Sequence, residues 1–128
     1  MTKQEFLHQA PPFAAAVIRQ AGGWTEFREM AADVCRSGAA AGFGGYCYYS
    51  ETVPFATRNL SAILDYAREM ADDIGEPGAY SFIAGFRCLD GYNTDKVADA
   101  IHSKDTEVLN ALAWFALEET ARVYDDLT

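Results

Sequence analysis

The stretch VLNALAWFAL, from Val108 to Leu117, holds ten consecutive residues without a charge, and only one of them is polar. Apolar side chains around every face of a helix leave no side for solvent, so such a helix needs neighbours on several sides. Asp105 is a good N-cap residue just before Thr106, and the helical pattern continues to about Asp125. We therefore expect residues 106–125 to form the central helix of the fold.

Helix signals recur through the rest of the chain. Thr2 and Glu5 have capping-box spacing, and Gly22-Gly23 and Gly38 are typical helix stops. Pro11-Pro12 and Pro54 stand at the starts of two predicted helices, and Thr94 or Asp95 caps the sixth. The predicted helices cover about residues 2–9, 11–21, 24–37, 54–74, 79–88, 94–102 and 106–125.

The segment AAAGFGGYCYYS, residues 39–50, combines three glycines with strand-favouring tyrosines and predicts an irregular loop. The fold class is thus mainly α: a single compact domain, 1–128, of about six or seven helices with one Gly/Tyr-rich irregular segment.

Length, cysteine spacing and hydropathy predict the number of domains, the cellular compartment and whether the chain spans a membrane. A length of 128 residues is typical of one domain, and 50% hydrophobic residues are enough for a core without disulfides. Three widely spaced cysteines, Cys35, Cys47 and Cys88, are typical of free thiols in a reducing compartment. The N-terminal residues lack the apolar core of a signal peptide, and no apolar run approaches the ~20 residues of a membrane span. We expect a cytoplasmic protein without a membrane partner.

The net charge of −9 is unevenly distributed. Residues 1–59 carry five acids and five bases, whereas residues 60–128 carry fourteen acids and five bases. Nucleic-acid surfaces need clustered Lys and Arg, so we expect no direct nucleic-acid binding. The acidic half favours either simple solubility or attraction to a basic protein groove.

One predicted helix carries an acidic face opposite its apolar stripe. Its carboxylates recur at steps of four, three, one and three residues, at Asp65, Glu69, Asp72, Asp73 and Glu76. Such a row resembles part of a phosphate backbone and is a candidate partner-binding face; the alternative is an ordinary solvated helix face.

Tyrosines supply the second candidate contact region. Tyr46, Tyr48 and Tyr49, together with Tyr92 in another predicted loop, would form an aromatic patch of the kind enriched in binding hot spots, unless they are core residues.

Catalytic signals are weak. The two histidines, His8 and His102, have no ligand-type neighbours at metal-site spacing, and Gly42–Gly45 lacks the lysine of a phosphate loop. No metal or cofactor is predicted. Glu118 and Arg122, four residues apart on the last helix, are expected to form a surface pair. An unrecognised site around Cys47 stays open as an alternative.

Four segments resemble a family of small phage and prophage proteins: GFGGYCYYSETVPF, MADDIG, FRCLDGY and NALAWFALEETAR, together spanning roughly residues 24–122. The resemblance implies a phage accessory protein, of a kind that often inhibits bacterial defence, such as anti-CRISPR or anti-restriction proteins. It assigns no functional residues.

The leading hypothesis is a non-enzymatic inhibitor that acts in the host cytoplasm and binds a host protein or nucleoprotein defence complex. The acidic face or the tyrosine-bearing loop would make the contact. The alternatives are an enzyme with a site near Cys47 and a self-associating structural or regulatory protein.

Overall fold

Helices account for almost all of the chain that the computed structural model describes, residues 1–37, 53–74 and 94–128. They are α1 (Lys3–Gln9), α2 (Ala14–Ala21), α3 (Trp24–Ser37), α4 (Val53–Ile74), α5 (Thr94–His102) and α6 (Thr106–Leu127). These three ranges contain no strand, and the prediction of a mainly α fold is confirmed. The helix predicted over 79–88 and the irregular segment 39–50 lie outside the described residues.

The first two helices begin differently from one another. The capping box of α1 is confirmed: the Glu5 N–H donates to Thr2 Oγ1 and the Thr2 N–H donates to Glu5 Oε2, both at 3.2 Å. The predicted start of α2 at the prolines is wrong, because α2 begins at Ala14. Pro12 disfavours helical geometry at Pro11, so the pair forms a turn in which the Ala14 N–H donates to the Pro11 carbonyl at 2.9 Å.

Left-handed residues end α2 and α5. Gly22 has φ +108° after α2, a conformation that costs glycine little. After α5 the corresponding residue is Lys104, with φ +58°. The N–H of Lys104 donates to Ile101 O at 2.9 Å and that of Asp105 to Ala100 O at 2.8 Å, which is the hydrogen-bond pair of a Schellman motif.

Asp105 makes hydrogen bonds to the end of α5 and to the start of α6. Its backbone N–H closes the end of α5, and its carboxylate accepts the N–H groups of the second and third residues of α6 at 3.1 and 3.4 Å. The predicted N-cap is confirmed, and it fixes the direction in which α6 leaves α5.

The central position of α6 is also confirmed. It packs against α2, α3, α4 and α5, and every residue from Val108 to Leu117 is buried. Three polar residues of α6 lie in this interior: Asn110, Glu119 and Thr120. The Thr120 hydroxyl donates to Ala116 O at 2.7 Å, and Asn110 Oδ1 receives no hydrogen bond from the described residues. The other helices contribute large buried side chains that include Phe6, Ile18, Phe27, Ile63 and Val97, and Phe13 adds another just before α2. None of the helices in the described ranges combines the length and hydropathy needed to cross a membrane.

Candidate functional site

The acidic face of α4 is exposed where the structure describes it. Asp65 and Glu69 lie one turn apart on the solvent side, opposite the buried Ile63 and Leu64. Arg68 Nη1 lies 3.5 Å from Asp65 Oδ1, and both side chains are more than half exposed. An exposed ion pair of this kind contributes at most about 1 kcal/mol, so it neutralises one charge without restraining the face.

The other predicted contact residues lie wholly or in their side chains outside the described part of the chain. Asp72 and Asp73 belong to the last part of α4, and their side chains lie outside the described ones. Glu76 and the four tyrosines of the predicted aromatic patch, Tyr46, Tyr48, Tyr49 and Tyr92, lie outside the described residues, as does Cys47.

A buried carboxylate joins α4 to α6. Glu119 is only 6% exposed. Its Oε2 accepts a hydrogen bond from the Tyr66 hydroxyl at 3.2 Å. The Arg122 guanidinium donates to both carboxylate oxygens, with Nη2 at 2.7 Å from Oε1 and 2.6 Å from Oε2. Burying a charge is tolerated when it is paired and hydrogen-bonded in this way.

The expected pair between Glu118 and Arg122 is therefore wrong. Arg122 reaches Glu119, three residues before it, because that carboxylate is buried against Tyr66 and gains more from a cation than an exposed one does. Glu118 is half-buried instead. Burial, followed by the nearby charge of Glu119, raises the pKa of its carboxyl, and a hydrogen bond with Trp114 partly offsets the rise.

The same contacts set the ionisation of Tyr66. Burial is the main cause, and the charge and hydrogen bond of Glu119 add to it, so that the pKa of Tyr66 rises to about 12. The charge of Glu69, one turn further along α4, raises it as well. Tyr66 consequently remains a hydrogen-bond donor well above neutral pH.

The C-terminal end of α6 extends the negative surface toward α3. Asp125 and Asp126 are exposed, and after burial they are the main causes that raise the pKa of the Cys35 thiol. A thiol held in its protonated form is a poor nucleophile. This is consistent with the interpretation of Cys35 as an unreactive free thiol.

We use the name α4–α6 acidic surface for the carboxylates of Asp65 and Glu69 on α4 and of Glu118, Asp125 and Asp126 on α6. The two helices pack together and are joined through the hydrogen bond from Tyr66 to Glu119, the residue that pairs with Arg122.

Within the described ranges, no three His, Cys, Asp or Glu side chains are arranged to hold a metal ion. His8 and His102 are exposed on different helices, α1 and α5.

Sequence reasoning found the charges but missed Tyr66 and Glu119 as the residues that organise them. Tyr66 lies at the boundary between the apolar and acidic faces of α4, next to Asp65. Glu119 follows directly on the apolar run of α6, and the buried residues Thr120 and Ala121 continue beyond it. A carboxylate inside a buried stretch was the available signal.

Comparison with known proteins places the chain in a family. No curated protein and no solved structure matches it significantly. Residues 13–127, from Phe13 near the start of α2 to the end of α6, match the family model of a domain of unknown function, DUF7222, and the chain therefore belongs to the DUF7222 family.

Proposed function

We propose that this protein is a non-catalytic binding protein whose α4–α6 acidic surface docks onto a basic surface of a macromolecular partner. The observation that carries the proposal is the excess of carboxylates on two helices that pack together. With Glu119 included, this surface has six carboxylates, and within the described residues two guanidinium groups pair with them, those of Arg68 and Arg122, which leaves four formal negative charges.

The buried Glu119 supports this function because it holds the two helices in a fixed relation. Tyr66 on α4 and Arg122 on α6 both bind its carboxylate, so the spacing between the charges of the two helices is set before a partner arrives. A preorganised surface loses less conformational entropy on binding. Its field also accelerates the encounter with a basic partner, an effect that salt screens.

More specifically, we propose that the partner is a bacterial defence complex and that binding of this protein inhibits it. This form rests on the resemblance to phage and prophage proteins. Defence complexes that handle nucleic acid carry basic grooves, for which a rigid acidic surface is a competitor. The predicted tyrosine patch, Tyr46, Tyr48, Tyr49 and Tyr92, would supply a second, aromatic contact.

The test compares two variants with the same net charge. The first carries Asp65→Lys and Glu69→Lys within the acidic surface, and the second carries Glu29→Lys and Asp99→Lys on exposed positions of α3 and α5. Each replacement changes the charge by +2, so both variants go from −9 to −5. Tagged wild type and variants are used to capture partners from bacterial lysates that contain defence systems, at low and at moderate salt.

We expect the wild type and the α3/α5 variant to retain the same partner at stoichiometric level. The α4 variant should bind it at least about tenfold more weakly, equivalent to 1.4 kcal/mol. The purified partner should lose its own activity in proportion to the amount of wild-type protein added. Equal retention by both variants would show that general charge, and not this surface, attracts the partner. Turnover of a substrate by the protein itself would contradict the non-catalytic role.

A further inference from the structure

An aromatic side chain anchors the N-terminal helix. Phe6 of α1 is fully buried, with its ring centroid 5.5 Å from that of Trp24, 5.7 Å from Phe27 and 5.5 Å from Tyr124. We call the last three rings the aromatic socket. Trp24 and Phe27 belong to α3, and Tyr124 belongs to α6.

The socket is held together without α1. The Trp24 and Phe27 rings stack at 5.9 Å, and Tyr124 meets both edge-on at 5.5 and 5.7 Å. Because α3 and α6 already pack along one another in the core, we expect the three rings to keep their arrangement when Phe6 leaves.

By contrast, α1 has a single side chain that is fully buried in the rest of the fold. Phe6 is its one buried residue, and Leu7 is partly buried against the core. Its end groups are satisfied within the segment itself, by the capping box and by the bond from the Ala10 N–H to Phe6 O at 3.0 Å. In the part of the chain that the structure describes, these hydrogen bonds stay within the segment, so detaching α1 does not break them.

The link to the core also separates α1 from the remaining helices. Ala10 is extended, with φ −77° and ψ 159°, and Pro11 and Pro12 form the turn that follows it. The family match begins at Phe13, directly after this turn. The segment thus precedes the residues that match the family model and is joined to them through two prolines.

We propose that α1 is a detachable segment, and that the aromatic socket is a docking site which takes the same helix in trans from a second copy of the chain. Exchange of an identical segment reproduces the contacts of Phe6 with no new interface. This goes beyond the proposed acidic-surface function, since it concerns a different, aromatic region of the molecule.

Hydrogen exchange in the wild-type chain gives the first test. If α1 opens by itself, the amides of Phe6 and Ala10 exchange faster than the buried amides in the middle of α6, by roughly two orders of magnitude or more. Equal protection of α1 and α6 would mean that α1 opens only when the whole fold unfolds, which would overturn the proposal.

The second test offers the helix in trans. The full chain carrying Phe6→Ala leaves the socket empty, and a peptide of residues 1–12, MTKQEFLHQAPP, is titrated into it. We expect a saturable shift of the Trp24 indole N–H resonance, half-complete at ~0.1 mM peptide or below, which is about a tenth of the millimolar effective concentration typical of a short tether. Trp114, buried in the core on α6, serves as the internal control.

Two comparisons make this test specific. The wild-type chain should need at least about tenfold more peptide, because its own α1 competes for the socket. A peptide with alanine in place of Phe6 should cause no shift. The proposal fails if the folded Phe6→Ala chain does not bind the natural peptide, or if it binds both peptides equally. It also fails if the Phe6→Ala chain cannot fold, since α1 would then be an integral part of the core.

Discussion

Replacing Tyr66 by phenylalanine removes one hydroxyl and keeps the packing around it. The Tyr66 ring meets Phe13 edge-on at 5.3 Å and lies 6.5 Å from Phe115, contacts that a phenylalanine ring retains. The variant therefore isolates the hydrogen bond to Glu119 Oε2, 3.2 Å long, which links α4 to α6.

The length and burial of this hydrogen bond set the loss of stability that we expect for Tyr66→Phe. A hydrogen bond to a charged group contributes about 1.5–3 kcal/mol. At 3.2 Å this one is long for a hydroxyl donor, and Tyr66 is only half-buried, so we expect the variant to be less stable by about 1 kcal/mol near neutral pH. Arg122 continues to pair with Glu119, which limits the loss.

The pH dependence provides a second, independent signature. The pKa of Tyr66 is raised from 10.0 to about 12 in the folded chain. Because the folded pKa lies above the unfolded one, the stabilisation is complete below pH 10 and is lost as the pH rises toward 12. A two-unit shift corresponds formally to about 2.7 kcal/mol. Most of this figure is the cost of burying the phenolate, and solvent screening of a half-exposed group reduces it, so it is separate from the hydrogen-bond loss of about 1 kcal/mol expected near neutral pH.

Urea unfolding of wild type and Tyr66→Phe, from neutral pH to about pH 11, measures the difference in free energy of unfolding. We expect that difference to be constant up to about pH 10 and then to fall. An absorbance titration should show one high-pKa tyrosine in the wild type that is missing in the variant. The reasoning is refuted if the two proteins are equally stable at neutral pH, or if their difference does not change as the pH rises.

Two further substitutions test other features of the fold. Lys104→Gly should raise the free energy of unfolding by about 0.5–1 kcal/mol, because glycine adopts the φ of +58° without strain; a Tm that is unchanged or lower would contradict this. Arg122→Ala should lower the free energy of unfolding by about 1–2 kcal/mol, since this substitution removes the cation from the buried Glu119. The matched control, Arg68→Ala, breaks the exposed pair with Asp65, and its free energy of unfolding should stay within about 0.5 kcal/mol of wild type. Chemical denaturation measures both variants. Equal losses of stability in Arg122→Ala and Arg68→Ala would count against the buried-charge argument.

The helices were predictable because their signals are local. The capping pair Thr2 and Glu5, the stop at Gly22 and the cap Asp105 each act within a few residues along the chain. The burial of α6 was predictable for a similar reason, since an uncharged run longer than two turns leaves no solvent face at all.

The start of α2 was less accessible to sequence reasoning. A proline is favourable in the first turn of a helix, but two in succession conflict, because the second one restricts the backbone of the first. The helix consequently begins at Ala14, after the turn formed by Pro11 and Pro12.

The candidate site was predictable only in part. Helical periodicity identifies the acidic side of α4, where Asp65 and Glu69 are exposed as expected. It does not reveal which residue of another helix meets Tyr66. The choice of Arg122 between Glu118 and Glu119 depends on that tertiary contact, because packing against Tyr66 turns one of two adjacent carboxylates into a buried charge.

The all-round burial of α6 has a consequence for the chain before it folds. In the native protein every side chain from Val108 to Leu117 is covered, but in the unfolded chain the same ten residues form an apolar run with no charge and no proline. Such runs promote intermolecular association, and flanking charges oppose it. Glu107 precedes the run, and Glu118 and Glu119 follow it. We therefore expect these carboxylates to oppose association of the unfolded chain until α2, α3, α4 and α5 have packed around α6.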